Sequence, residues 1–117
     1  MGDKSLSNLR DKLRDFASKR DWDKFHSPKN LAMALAAEVG ELIEHFQWLT
    51  EDQSKSLTEA KLKEVEEELA DILIYLVRLS DKLGIDLIDA AFRKIDINST
   101  KYPVECVRGS AKKYTEY

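Results

Sequence analysis

The chain has 117 residues, 43% of them hydrophobic and 35% charged, a balance that suits amphipathic helices and excludes wholesale disorder. Its net charge of −3, from 19 basic and 22 acidic residues, provides no cationic field for a nucleic-acid backbone, and the single Cys106 excludes both an intramolecular disulfide and a thiolate metal site. The longest apolar run, Ile72 to Val77, falls far short of the ~20 residues that cross a bilayer, and the polar opening Met1-Gly2-Asp3-Lys4-Ser5-Leu6 lacks the stretch of a signal peptide, so a cytoplasmic protein with no membrane and no nucleic-acid partner is expected.

Helical period recurs in four segments and no alternating strand pattern competes with it, which predicts an all-α chain. The first segment runs from about Ser5 to Arg20, with Leu6, Leu9, Leu13, Phe16 and Ala17 on one stripe. A charged linker carrying Trp22 and Phe25 follows. Ser27-Pro28 then has the form of an N-cap with proline at the first helical position, opening a second helix that is expected to reach about Trp48. Its stripe passes through Leu31, Ala34, Leu35, Glu38, Leu42 and His45, so Glu38 stands where an apolar residue belongs.

Residues 51 to 55 form an expected polar loop, and Ser56-Leu57-Thr58-Glu59 has capping-box form before the longest helix, which stops at Gly84. Its centre, Ile72 to Val77, is apolar all round and should be covered on more than one side, which predicts self-association. Asp86 caps a fourth helix that fades near Asn98, before Pro103. One domain over residues 1–103 and a mobile tail over 104–117 are expected.

Two acidic pairs carry chemistry: Glu38 with Glu41, and Glu68 with Asp71. Spacing of i, i+3 sets each pair on adjoining parts of one helix face, and a short connection makes the two helices antiparallel neighbours. An isolated ExxE is ordinarily a solvated face. Here Glu38 interrupts the stripe between Leu35 and Leu42, and Glu68 does so between Val65 and Ile72. Gathering carboxylates in such a place costs several kcal/mol each, unless protons or cations offset the charge, and a hard cation that shares its shell with phosphates fits oxygen ligands. Gly40, unfavourable by roughly 1 kcal/mol inside a helix, suggests a close approach.

The segments Glu38-Val39-Gly40-Glu41-Leu42-Ile43-Glu44-His45-Phe46-Gln47-Trp48 and Glu67-Glu68-Leu69-Ala70-Asp71-Ile72-Leu73-Ile74-Tyr75-Leu76-Val77 resemble the two signature segments of MazG-like pyrophosphohydrolases. Arg20-Asp21-Trp22, Phe25-His26, Asn30-Leu31, Lys94-Ile95-Asp96-Ile97-Asn98 and Lys101-Tyr102-Pro103 extend the likeness toward the dCTP pyrophosphatase branch, from about Phe16 to Pro103. The resemblance implies a four-helix bundle completed as a homodimer or homotetramer, and Mg2+-dependent cleavage of a deoxynucleoside triphosphate to monophosphate and pyrophosphate, a nucleotide-pool cleansing role. Mn2+ is the alternative metal.

By the same resemblance Glu38, Glu41, Glu68 and Asp71 bind the metal, with Glu38 or Glu41 orienting or deprotonating the attacking water. Lys94, Asn98 and Lys101 meet the phosphates; their i, i+4, i+7 spacing shares one helix face, although a solvated basic face at a helix end has the same pattern. Trp22, Trp48 and Tyr75 surround the base, with Phe25 and His26 as further base contacts, whereas aromatics at helical spacing are otherwise core. His26 and His45 read by themselves as hydrogen-bonded structural histidines. Leu13 departs from dCTP-preferring relatives, some of which carry a base-contacting histidine there. Two rivals stand beside this reading: a di-iron carboxylate bundle, which needs Glu-x-x-His pairs that are absent, and a non-catalytic helical oligomer acting as a scaffold, to which magnesium would be irrelevant.

Overall fold

Helix is the only regular structure among the described residues, which in this computed structural model are 4–111 and Thr115. The opening Met1-Gly2-Asp3 and, within the tail, residues 112–114, 116 and 117 lie outside them. The first helix, α1 (Leu6–Lys19), starts where the Ser5 hydroxyl accepts the Asn8 N–H at 3.1 Å. A short 3-10 turn, Asp23–Phe25, occupies the linker after Asp21, whose φ of 54° reverses the chain in the left-handed region. Helix α2 (Pro28–Glu44) begins as its Ser27-Pro28 dipeptide requires, with Ser27 Oγ accepting from Asn30 N. Leu31, one turn in, is completely buried.

Two boundaries differ from the sequence expectation. The α2 ladder stops at Glu44 rather than Trp48, because the N–H groups of His45 and Phe46 bond three residues back to Leu42 and Ile43 and tighten the chain into turns. Residues 51 to 55 are not a plain loop: Thr50 and Gln53 form a reciprocal capping box that starts a one-turn helix, α3 (Glu51–Ser54). The long helix α4 (Glu59–Lys82) is then capped by Thr58, whose hydroxyl accepts from Lys61 N, rather than by Ser56. Gly84, at φ 66°, terminates it as expected.

The chain divides between Gly84 and Ile85 into two compact units. In the first, α4 packs along α2 and against α1, around Ala17, Leu31, Val65 and Val77. The pairing of α2 with α4 is antiparallel: His45, just past the end of α2, faces Lys61 and Glu64 near the start of α4, whereas Glu38 senses Asp71 further along. Val77 is buried and Ile72, Ile74 and Leu76 are half-buried, yet Leu62, Leu69 and Leu73 remain exposed along α4. The second unit contains α5 (Leu87–Lys101), capped by Asp86 as expected and running past Asn98, and the single turn α6 (Val104–Val107). No helix among the described residues is long and apolar enough to cross a membrane.

Candidate metal and nucleotide site

The charge interruptions of the two apolar stripes meet. Glu38 is half-buried between the half-buried Leu35 and Leu42 on α2, and Glu68 is half-buried between Val65 and Ile72 on α4. With the exposed Glu41, these residues bring one carboxylate oxygen each within 4.8 Å of one another. Asp71 lies outside that triplet, but its charge reaches Glu38. Glu38 Oε2 and Glu68 Oε2 are both buried with no hydrogen-bond partner.

Crowded carboxylates shift one another. Desolvation first, then the hydrogen bond and charge of Glu41, with smaller contributions from Asp71 and Glu68, push Glu38 up to about 7. Glu68 is raised for the same leading reasons, while the hydrogen bond with Glu38 partly opposes the shift. Two orphaned buried oxygens in an all-oxygen donor set fit a hard divalent cation. The close approach expected at Gly40 is not found within the chain: a Cβ built there meets nothing within 4 Å, because this residue faces outward from α2.

One to two turns further along α4 lies a cavity of about 340 Å³ between α1, the linker and α4. Trp22, His26 and Tyr75 line it, as does Phe16, whose ring meets Trp22 edge to face at 5.7 Å. Leu9, Leu13 and Ile74 make the apolar wall. Glu68, Asp71, Tyr75 and Arg78 follow one another on α4 at three- and four-residue steps, so the acidic cluster and the cavity share one face of that helix. Of the other aromatic candidates, Trp48 is 85% exposed and Phe25 is 59% exposed, and neither lines the cavity. Lys94, Asn98 and Lys101 all lie on α5, in the second unit.

The structure adds residues that sequence reasoning passed over. Arg78 is only 4% exposed; its Nη2 donates to Asp23 Oδ1 at 2.7 Å and approaches His26 Nδ1 at 3.2 Å. Arginine has no acceptor, so Nδ1 must accept. Burial and then the Arg78 charge hold the His26 imidazole below its ordinary pKa, which keeps it neutral. Lys82 Nζ also binds Asp23 Oδ1 at 2.9 Å, and Arg14 Nε binds Asp81 Oδ2 at 2.8 Å, so the linker and α1 are both tied to α4 beside the cavity. A signal was present: Arg78 interrupts the apolar run from Ile72 to Leu79 as Glu38 and Glu68 interrupt theirs.

Residues 33–117 match the model of the MazG-like family. The chain is 43% identical to dCTP pyrophosphatase 1 of Homo sapiens over 114 residues, covering 96% of this chain and 67% of that protein. Its counterpart in Mus musculus is 45% identical over the same shares. A crystal structure of a pyrophosphatase from Archaeoglobus fulgidus superposes with a TM-score of 0.81 at 44% identity, covering 88% of this chain and 96% of that one.

Proposed function

Because the chain belongs to the MazG-like family, we propose that it hydrolyses a deoxynucleoside triphosphate of the dCTP kind to the monophosphate and pyrophosphate. The observation that carries this reading is the cluster of Glu38, Glu41 and Glu68, with two buried oxygens lacking partners, beside an aromatic cavity on the same face of α4. Relatives named dCTP pyrophosphatase 1 support the substrate class.

In this reading Glu38, Glu41, Glu68 and Asp71 hold magnesium, with manganese as a substitute. The ion supplies polarisation of the phosphates and a lowered pKa for the attacking water. Glu38, whose carboxyl sits near neutrality in the metal-free chain, or the exposed Glu41 orients that water and accepts its proton at a carboxylate oxygen. Trp22 and Tyr75 stack the base in the cavity, an interaction of about 1 to 3 kcal/mol for each stacked base in nucleic-acid complexes. His26, held neutral, offers a polar edge, and Leu13 in the wall leaves base selectivity to the remaining groups. Phe25 and Trp48, being exposed, join the base site only by rearrangement or through a second copy of the chain. Lys94, Asn98 and Lys101 bind the phosphates; their common face on α5 supports that role.

A homodimer or dimer of dimers would cover Leu62, Leu69 and Leu73, which one copy leaves in water. A cytoplasmic, pool-cleansing enzyme formed of one domain over residues 1–103 completes the proposal. Phosphorus NMR of ribo- and deoxynucleoside triphosphates incubated with the chain and magnesium tests it. The expected products are monophosphate and pyrophosphate, most rapidly from dCTP; orthophosphate with diphosphate, or no consumption at all, would overturn it.

A further inference from the structure

His45 stands between the acidic cluster and an ion pair that takes no part in it. Its Nε2 lies 3.9 Å from Glu68 Oε1, while its Nδ1 lies 3.3 Å from Lys61 Nζ and 3.7 Å from Glu64 Oε2. Lys61 is itself paired with Glu64 at 3.4 Å. The imidazole is mostly covered, with 17% of its side chain exposed.

In a neutral ring the Lys61 contact selects the tautomer. An ammonium can only donate, so the Nδ1 facing Lys61 must accept, and the ring proton of the neutral imidazole then resides on Nε2. Glu64 holds Lys61 in place for that purpose. Nε2–H then lies 3.9 Å from Glu68 Oε1, longer than a hydrogen bond and short enough to become one if the carboxylate shifts when the site is loaded. The other oxygen of the same carboxylate, Oε2, is the buried one without a partner.

Resting on the metal reading above, we propose that His45 is a positioning residue for the cation: Lys61 fixes its tautomer, its Nε2–H steers Glu68 through Oε1, and Oε2 is thereby presented to the ion. Partners of this kind behind a ligating carboxylate typically change metal affinity by about 10- to 100-fold when removed. Glu64, Lys61, His45 and Glu68 thus form a chain of contacts running from solvent into the cluster.

Mn2+ binding to the full chain without nucleotide, followed by electron paramagnetic resonance of the free ion, tests the role without reference to turnover. A glutamine amide nitrogen reaches the position of Nε2, whereas an asparagine amide reaches only that of Nδ1. His45→Asn should therefore weaken Mn2+ binding about 10-fold or more, His45→Gln should stay near wild type, and Lys61→Met should weaken binding with His45 intact. The reverse order of the two His45 variants, equal losses in both, or wild-type affinity in both would overturn the proposal. Thermal unfolding checks each variant's fold; if His45→Asn does not fold, unchanged Mn2+ affinity in Lys61→Met overturns it alone. Absence of Mn2+ binding by the unmodified chain would instead sink the metal reading itself.

Discussion

Around the second half of α4, Asp23 and Asp81 are met by Arg14, Arg78 and Lys82, whereas earlier along it Glu68 faces Glu38 and Glu41 of α2, and these carboxylates meet chiefly one another. In the first region each charge finds a counter-ion within the chain, although Arg78 Nε itself is buried without a partner, and the result is a clamp that ties the linker and α1 to α4. In the second, desolvation and like charges leave two carboxylate oxygens without partners. Charge balanced internally holds the fold; crowded charge without a counter-ion is offset by a retained proton or by a bound cation.

The sharpest way to break this contrast is to remove divalent ions. Exhaustive chelation should abolish pyrophosphate release from dCTP, and magnesium should restore it while raising the unfolding midpoint, by about 2.7 kcal/mol of stability at a hundredfold excess over Kd. Activity that survives chelation would leave the unbalanced cluster without a role. Next in size, Glu38→Gln and Asp71→Asn should each lower kcat by about 100- to 10,000-fold with the helical content preserved, read by steady-state kinetics and circular dichroism.

Arg78→Met addresses the balanced region. It should cost about 1 to 3 kcal/mol in stability, since Asp23 keeps Lys82 and Asp81 keeps Arg14, and should leave Mn2+ affinity unchanged. Loss of metal binding in that variant would show that the two regions are not separate.

The smallest effect is a difference in sign with pH in the metal-free chain. Burial and its acidic neighbours raise Glu38 to about 7, so the folded chain retains a proton that the unfolded chain has shed. Stability from this group is full below the ordinary glutamate pKa of about 4.3 and is lost as pH rises toward 7. Asp81 behaves oppositely: the Arg14 hydrogen bond holds it below the usual carboxylate range, so its contribution is complete above the ordinary aspartate pKa of about 3.9 and is lost as pH falls through its folded value. His26, held below its ordinary pKa, contributes with the opposite sign to Glu38 as pH rises, so the test is the difference between the unmodified chain and Glu38→Gln: from pH 5 to 7 without metal the unmodified chain should lose stability relative to the variant. A difference that stays constant over that range would contradict this assignment.

Glu38 and Glu68 were legible in the sequence because a charge that interrupts an apolar stripe has nowhere to go except into a packed interface. The helices were legible for the same periodic reason, together with the caps at Ser27 and Asp86. Gly40 misled, since low helix propensity alone does not say what lies opposite. The end of α2 was placed late because Phe46 and Trp48 continue an apolar rhythm across turns that are not α-helical. The α3 turn was overlooked although Thr50-x-x-Gln53 spelled out its capping box. The ties from Arg78 to Asp23 and His26, and from His45 to Lys61, were not readable, because pairs separated by 55, 52 and 16 residues depend on the packed register.

One rod of backbone carries both ends of the proposed site. Glu68 and Tyr75 are seven residues apart on α4, a rise of about 10 Å with almost no rotation between them. If Glu68 and Tyr75 act as proposed, the helix would work as a caliper whose jaws are set covalently: a free base would touch one jaw, inorganic pyrophosphate the other, and only a molecule long enough to bridge the gap would be gripped at both. A single residue inserted between positions 71 and 75 would turn one jaw by about 100° relative to the other, so molecular length would be gauged by the helix itself, apart from any recognition of the base.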